Sequence, residues 1–402
     1  MRLVIVALCP CNPEPRLEKE LRYLKNNQDF SSFVIAWNRP GNLPSKEMME
    51  GATLYRIGPA LPAGFGVFSL WRQVISKATA IVLFSIRATV QAIKLRPNLI
   101  YIHDLHTAPI GILVKAFTGA KLIYDAHEDY PFMLSDVSKL LGALAELLER
   151  IVAPFVDYVV AVDSDREKKF SSLLGRKTIL VRNYPEKWFT DPALTRSVDM
   201  ETEHYLEQIK ALKESGYFIV LSSSFFWRNN GLEEFLLSKA YLKPDLKIAY
   251  VLIGWGNYGL KLKKMAEENH ITPVIFAKIQ PYQAIPHFLR LADVGVDLKR
   301  PTPYYLTIFP TKISEYIASG VPVICGRLKP ISSLIDAGCG LFVDTTSPAS
   351  IAQGIEKLAT DKLFFVDLRE KTKAMGESLK WENQYPAFDK MFGELTSDFE
   401  SN

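Results

Sequence analysis

The sequence of 402 residues contains only four cysteines and six histidines. The cysteines (Cys9, Cys11, Cys325 and Cys339) form no Cys-x-x-Cys pair, whereas a structural zinc site needs about four ligands at such spacings. We therefore expect four free thiols in a reducing compartment. Low-complexity tracts and short-period repeats are also missing, which argues against fibrous and repeat architectures.

Long uncharged apolar runs are scarce as well. None approaches the ~20 residues that a membrane-spanning helix needs, so we expect no transmembrane helix. The apolar run at residues 3–8 is short and is soon followed by Pro10, which indicates a buried strand rather than a signal peptide. Neither half of the chain has a Gly-x-Gly-x-x-Gly or Walker pattern in its first strand-to-helix turn, which disfavours dinucleotide and P-loop enzymes.

The composition is typical of a globular protein, with 48% hydrophobic and 23% charged residues. At ~150 residues per domain, the length predicts two or three domains. Charge is uneven, because residues 1–185 carry a net +6 and the remainder −2. Residues 51–121 contain eight basic side chains and one acid, Asp104, and this local excess favours an anionic partner.

Short apolar runs alternate with helical patterns along the chain. Apolar runs without polar alternation, separated by helices, are typical of parallel sheets that are covered on both faces. We predict an N-terminal domain at 1–185, a linker and helix at 186–215, a second α/β domain at 216–382 and a final helix at about 383–402.

Ionisable residues follow two of the N-terminal strands. Ligands of parallel α/β sheets bind beyond the carboxyl ends of the strands. The residues predicted at those ends are His103, Asp104, Asp125, His127 and Glu128. This position predicts a functional site in the first domain.

The segment 309–324 carries a second candidate site. We expect Thr311 to cap a helix that ends at Gly320, with Lys312 and Glu315 about one turn apart on one face. A helix N-terminus with a lysine suits a diphosphate, and a carboxylate there suits ribose hydroxyls. The spacing alone equally fits a surface helix with an ion pair.

This segment resembles the donor-binding motif of the GT-B-fold retaining glycosyltransferases of family 4, Pro-x-Lys-x-x-Glu-Tyr followed by Gly-x-Pro-Val-Ile. Other motifs resemble that family in the same order and extend over nearly the whole chain. They are Glu14-Pro15-Arg16-Leu17, His103-Asp104, Tyr124-Asp125-Ala126-His127-Glu128, Gly254-x-Gly256, Ala292-Asp293-Val294 and Trp381-Glu382.

The resemblance implies two Rossmann-like doubly wound parallel-sheet domains that face each other across a cleft, with the C-terminal helix crossing back to the N-domain. It further implies transfer of a sugar from a nucleotide sugar with retention of configuration. The N-domain would hold the acceptor and the C-domain the donor, with no cofactor and no catalytic metal. Asp163-Ser164-Asp165 comes nearest to a metal-binding Asp-x-Asp, and we interpret it as a helix cap.

The resemblance also implies roles for individual residues. His127 would lie beside the anomeric carbon, and Asp104 and Glu128 would either contact the acceptor hydroxyl or orient His127. Arg16 would lie on the acceptor side. The expected donor-binding residues are Ser224, Arg228, Gly254, Pro310, Thr311, Lys312 and Glu315.

The sequence departs from the family pattern at two positions. Thr307 stands where an acid is usual, and Asn230 where a lysine is expected, so Arg228 would supply charge from a shifted position. Two alternatives remain open: a catalytically degenerate GT-B scaffold, which these departures suggest, and a GT-B sugar-nucleotide epimerase.

Residues 67–95 are apolar almost throughout. Arg72, Lys77, Arg87 and Lys94 fall within one arc of the predicted helix, close to Trp71. This pattern predicts peripheral contact with an anionic membrane on its cytoplasmic face and a glycan or lipid-linked acceptor, with no nucleic-acid partner. A core helix with a solvated basic edge is the alternative.

Overall fold

The computed structural model describes residues 1–26, 29–60, 70–194, 197–278, 280–302, 305 and 309–400, with the side chains of 70–75 and 398–400 left out of the description. The chain divides into two compact units. Unit 1 comprises Met1–Asn183 with Gln384–Asn402, and unit 2 comprises Tyr184–Asn383.

Unit 1 is built on an eight-stranded sheet in the order β3-β4-β2-β1-β5-β6-β7-β8. All neighbouring strands are parallel except β3, which pairs antiparallel with β4 at the edge and which the sequence pattern did not predict. The strands are β1 (Arg2–Ala7), β2 (Ser31–Trp37), β3 (Lys46–Met49), β4 (Ala52–Ile57), β5 (Leu99–His103), β6 (Lys121–Ala126), β7 (Tyr158–Ala161) and β8 (Lys177–Leu180).

The helices of unit 1 cover both faces of this sheet. They are α1 (Pro15–Asn26), α2 (Leu70–Leu95), α3 (Ala108–Thr118), α4 (Tyr130–Ser135), α5 (Lys139–Val152) and α6 (Ser164–Lys168). Val4 and Val6 of β1 pack with residues of α2, α3 and α5 in one core, whereas Leu3 and Ile5 line a cavity with Leu24 of α1. Alternate residues of one strand thus face opposite helix layers, as buried parallel strands require.

Among the described residues, one segment, Ser76–Leu95 of α2, is long and apolar enough to cross a membrane by length and composition alone. Its Phe84, Ala88 and Ala92 are fully buried in the core of unit 1. On that side α2 is therefore a helix packed on the sheet.

Unit 2 has a six-stranded parallel sheet in the order β11-β10-β9-β12-β13-β14. Its strands are β9 (Phe218–Ser223), β10 (Ile248–Ile253), β11 (Val274–Ala277), β12 (Val294–Asp297), β13 (Val323–Cys325) and β14 (Gly340–Phe342). Its helices are α7 (Lys187–Thr190), α8 (Met200–Glu214), α9 (Leu232–Leu237), α10 (Gly259–Glu268), α11 (Ile285–Leu291), α12 (Thr311–Ala318), α13 (Ser332–Leu334), α14 (Pro348–Thr360) and α15 (Lys362–Gly376).

The last helix, α16 (Tyr385–Glu400), packs within unit 1, which confirms the predicted return of the C-terminal helix. The hydroxyl of Tyr23 in α1 donates to Asp389 at 2.6 Å, and Lys177 of β8 pairs with Glu394 at 2.9 Å. The Tyr23 ring also stacks on Phe388 with a centroid distance of 5.0 Å. Aromatic packing therefore supplies most of this contact, since an exposed ion pair contributes little.

Candidate active site

A buried ion pair organises the carboxyl ends of the unit 1 strands. Arg16 of α1 donates to both carboxylate oxygens of Asp125, at 2.8 and 3.0 Å, and Tyr101 donates to the same carboxylate at 3.1 Å. Burial raises the pKa of Asp125, but Arg16, His127 and His103 outweigh it and hold that pKa well below its ordinary value. Arg16, predicted on the acceptor side, is instead only 3% exposed and supports Asp125.

His103, the last residue of β5, lies beside a second buried carboxylate that the sequence did not indicate. Its Nε2 lies 3.1 Å from Glu20 of α1. Burial lowers the pKa of His103, but Glu20 outweighs this effect, with help from Asp125, and raises that pKa to about 9. His103 is therefore positively charged at neutral pH.

We expect the charge of His103 to stabilise unit 1 in a pH-dependent way. The folded pKa of about 9 exceeds the ordinary value of 6.5, so the contribution is complete below pH 6.5 and disappears as the pH rises through about 9. Its size is about 3 kcal/mol at most. Hydrogen exchange of β5 and β6 amides, compared between the wild type and His103→Gln, should show a stability difference that shrinks from pH 6.5 to 9. A difference independent of pH over that window contradicts this assignment.

His127 directly follows β6, and Asp104 directly follows β5. The Nε2 of His127 lies 3.2 Å from Asp104 Oδ2, and the backbone N–H of Glu128 donates to Asp104 Oδ1 at 3.2 Å. Asp104 has a φ of 64°, a strained conformation for a residue other than glycine, and its N–H donates to the Asp125 carbonyl. Of the two roles left open for Asp104, this geometry favours orienting His127.

The imidazole of His127 is neutral at physiological pH. Burial lowers its pKa to about 3, and Arg16, His103 and Arg166 act in the same direction against Asp125. Burial and Asp125 raise the pKa of Asp104 well above its ordinary value. The close approach of the two side chains therefore does not depend on an imidazolium charge.

His103, Asp125 and His127 place one potential metal-ligating atom each within 4.8 Å of one another. The Asp125 oxygens already accept bonds from Arg16, and His103 already faces Glu20. A cation here would have to displace these partners, so this arrangement is better explained as an ion-pair network. The interpretation of Asp163-Ser164-Asp165 as a helix cap is confirmed. The Asp163 side chain accepts hydrogen bonds from the backbone N–H groups of Asp165 and Arg166 at 2.9 and 2.8 Å.

In unit 2, two glycines bring the segment after β10 against the segment after β9. A Cβ on Gly254 would lie 1.8 Å from the Ser224 carbonyl oxygen, and one on Gly256 would lie 2.4 Å from that of Phe226. Phe226 N–H also donates to the Trp255 carbonyl at 2.7 Å. The glycines are therefore required by backbone contact, which is the reason for the Gly254-x-Gly256 pattern.

Asn230 holds the same loop through two side-chain hydrogen bonds. Its amide donates to the Ser224 hydroxyl at 3.0 Å and to the Phe225 carbonyl at 2.6 Å, and the side chain is buried. Arg228, by contrast, is exposed. Asn230 thus has a structural function in holding the Ser224 loop, and of these two residues only Arg228 has an exposed side chain.

The segment that resembles a donor-binding motif includes α12, and one detail of its prediction is wrong. The residue before the first helical residue is Pro310, and Thr311 is itself the first helical residue with no side-chain cap. Proline has no backbone N–H group and a fixed φ, so Pro310 can precede the helix although it offers no capping side chain. Glu315 is 7% exposed, and Lys312 is partly buried.

The surroundings of Lys312 include two residues that the sequence did not reveal. Lys299, just beyond β12, pairs with Asp297 at 2.5 Å. Burial and the Lys299 charge lower the pKa of Lys312 to about 8, while Asp297 and Glu315 act in the opposite direction. The ammonium groups of Lys312 and Lys299 and the N-terminus of α12 therefore lie near the carboxylates of Asp297 and Glu315. Binding of an anion would stabilise the positive charges of this cluster.

A depression of about 340 Å³ lies beside the loop that follows β9, at the ends of β10 and β11. Gly254, Trp255, Phe276 and Lys278 are among the residues that line it. Its volume is at the lower end of small-molecule sites, and its lining combines aromatic rings with a cation.

Thr307 and the side chains of Trp71 and Arg72 lie outside the described residues, and Lys77 is exposed on α2.

Comparisons with known proteins agree with this arrangement. Residues 206–378 match the family Glycosyl transferases group 1. The chitobiosyldiphosphodolichol beta-mannosyltransferase of Debaryomyces hansenii is 26% identical over 317 residues, which cover 71% of this chain and 66% of that protein, just under two thirds of its length.

Solved structures extend the likeness of fold to nearly the whole chain. Sucrose-phosphate synthase from Thermosynechococcus elongatus superposes with a TM-score of 0.73 and 15% identity, covering 99% of this chain and 100% of that one. Anabaena HepE in complex with UDP-glucose gives a TM-score of 0.71 and 14% identity, covering 98% and 100%. The chain therefore has the GT-B fold, and residues 206–378 within it match the glycosyl transferases group 1.

Proposed function

We propose that this protein transfers a sugar from a nucleoside-diphosphate sugar to a lipid-linked or other glycan acceptor, as part of surface glycan or glycolipid synthesis at the cytoplasmic face of a membrane. The observation that carries the proposal is a cluster of charged side chains near the N-terminus of α12. It consists of Lys312 and Glu315 of α12 and Lys299, which lies just beyond β12. Such a group would balance the charge of a diphosphate, and Glu315 would accept hydrogen bonds from ribose hydroxyls.

The donor would occupy unit 2. Its diphosphate would lie at the Ser224 loop and the first turn of α12, with Arg228 assisting, and its base in the depression lined by Trp255 and Lys278. The UDP-glucose bound by the structural neighbour HepE supports a nucleotide sugar as donor. The name of the mannosyltransferase relative, which includes a dolichol diphosphate, supports a lipid-linked acceptor.

Retention of configuration and independence of metal are further parts of the proposal. A front-face displacement needs no protein nucleophile, only precise positioning of donor and acceptor. Asp125 and Asp104 are engaged by Arg16 and His127, which fits orienting roles better than attack on the sugar. The lysines and the α12 N-terminus would balance the leaving diphosphate without a cation.

The test is a thermal-shift panel with UDP, GDP, ADP, CMP and dTDP, each with and without magnesium. We expect one nucleotide to stabilise the protein by about 2.7 kcal/mol at 100 times its Kd, and to do so equally without magnesium. Glu315→Gln should remove most of this shift because it weakens the ribose contact, whereas Glu356→Gln, on the surface helix α14, should keep it. Absence of a shift with every nucleotide would favour the degenerate scaffold.

A further inference from the structure

Helix α5 presents its apolar face away from the sheet that it covers. Its inward residues are Gly142, Ala145, Glu149 and Val152. The large apolar side chains that point outward are Leu140, Leu141, Leu144, Leu147, Leu148 and Ile151, each between 39% and 68% exposed. A helix on the surface of a globular protein normally has the reverse arrangement.

Two buried contacts fix this orientation. Glu149 is fully buried, accepts the Tyr124 hydroxyl at 3.2 Å and pairs with Lys169. A Cβ on Gly142 would lie 1.8 Å from the Ser135 hydroxyl oxygen of α4, so that side must remain inward. Rotating α5 to bury its leucines would expose these contacts, and the outward leucines therefore belong to the folded state.

The neighbouring helices continue the same surface. On α3, Leu113 and Phe117 are 46% and 72% exposed, and Lys115 ties this helix to the Phe155 carbonyl just beyond α5. On α2, which packs beside α3, the exposed side chains include Val82, Leu83, Ile86 and Val90. We call these exposed apolar side chains of α2, α3 and α5 the outer apolar face.

The charges around the outer apolar face are mostly positive. Lys77, Arg87 and Lys94 are exposed on α2, and Lys139 and Arg150 are exposed on α5. The acid of α5 that is partly exposed, Glu146, accepts from Arg150 at 3.0 Å and from Lys169 at 2.6 Å. Aliphatic side chains flanked by lysine and arginine suit the boundary between acyl chains and anionic headgroups.

We propose that the outer apolar face docks on an anionic lipid bilayer, with the leucines of α5 and Phe117 entering the headgroup boundary and the basic residues contacting lipid phosphates. The inference rests on the proposed function, because a lipid-linked acceptor would reach the enzyme at that surface. It moves the centre of membrane contact from the basic stripe of α2 to α5. A second copy of the chain fits less well, because protein interfaces are enriched in aromatic residues and depleted in lysine.

Co-sedimentation of the full chain with vesicles tests this inference. We expect binding to vesicles of equimolar phosphatidylcholine and phosphatidylglycerol and little binding to phosphatidylcholine alone. Leu144→Glu combined with Leu148→Glu should weaken binding by about tenfold or more, since both side chains are already exposed and the fold can accept the change. Leu363→Glu combined with Val366→Glu on α15 of unit 2, where the side chains are 88% and 53% exposed, should leave binding unchanged.

The nucleotide panel separates the failure of this inference from the failure of the proposed function. A wild-type protein that responds to a nucleotide but ignores anionic vesicles overturns the docking alone, and one that binds vesicles but no nucleotide overturns the glycosyltransferase proposal alone. Sedimentation equilibrium without lipid adds one outcome: a dimer abolished by the α5 variant, together with no vesicle binding, overturns the docking in favour of a second copy. Should the α5 variant lose its nucleotide response, Leu113→Glu with Phe117→Glu replaces it on α3.

Discussion

Replacing His127 with alanine is expected to lower kcat by about 10²–10³-fold, with a much smaller change in the KM for the nucleotide sugar. The imidazole is held by Asp104 at 3.2 Å and its side chain is 24% exposed, so it is both oriented and accessible. A group that polarises the donor only as the glycosidic bond breaks contributes to the transition state, and its loss therefore appears in kcat. The readout is release of nucleoside diphosphate from the nucleotide sugar whose nucleotide stabilises the protein.

The pH profile distinguishes this role from general acid catalysis by an imidazolium. Because the pKa of His127 is about 3, the ring stays neutral between pH 5 and 8 and kcat should show no limb from its titration in that range. A limb near the ordinary histidine pKa that disappears in His127→Ala would contradict a neutral role. His127→Gln should recover part of the rate, since an amide keeps a neutral donor.

A matched variant controls for loss of structure. His204, exposed on α8 and bonded to Gln208, offers a histidine far in sequence from the site, and His204→Ala should keep full activity. Nucleotide stabilisation should survive in His127→Ala, because the donor residues belong to unit 2. If His127→Ala keeps full activity, the proposed role of His127 is wrong, whereas loss of activity with biological function intact favours the scaffold alternative.

The alternation of strands and helices was predictable because the parallel strands are buried on both faces, and so was the location of ionisable residues at the strand ends. Runs such as residues 99–103 and 121–126 have no polar alternation, and ionisable residues follow at their ends. The edge strand β3 was missed, because Lys-Glu-Met-Met has no continuous apolar run and its pairing is decided by the neighbouring strand.

The partners inside the site were not predictable from spacing. Glu20 reaches His103, and Arg16 reaches Asp125, across 83 and 109 positions of sequence, respectively. Lys299 and Asp297 likewise join Lys312 only through the order of β12 and α12 in the folded unit. Motifs indicated the candidate site residues, whereas the groups that set their charge states come from elements that only the fold brings together.

Periodicity also left the direction of α5 undetermined. An apolar stripe is expected to face the core, and a stripe alone does not distinguish the core from another apolar environment. What decides its orientation is the burial of Glu149 and the close approach at Gly142, both of which depend on tertiary contacts. The basic stripe of α2 was therefore visible in the sequence, and the larger apolar surface beside it was not.

The second large effect is expected from Arg16→Met. The substitution leaves the carboxylate of Asp125 buried without its bidentate partner, and we expect unit 1 to lose about 3–5 kcal/mol of stability. Arg22→Met provides the control on the same helix, because Arg22 pairs with Glu50 at 2.8 Å where both side chains are about 30% exposed. Such an exposed pair contributes about 1 kcal/mol or less.

The cause of the loss can be tested by pH and by a second substitution. In the wild type, the stabilisation from the lowered pKa of Asp125 is present above the ordinary value of 3.8 and disappears as the pH falls through the lowered pKa. In Arg16→Met the carboxyl takes up a proton more readily, so its disadvantage relative to the wild type should shrink as the pH falls towards 4. Adding Asp125→Asn should recover part of the loss, because it removes the unpaired charge while keeping an acceptor for Tyr101. Hydrogen exchange of β1 and β6 amides measures this within unit 1, and equal losses in Arg16→Met and Arg22→Met would show that the buried pair is not the cause.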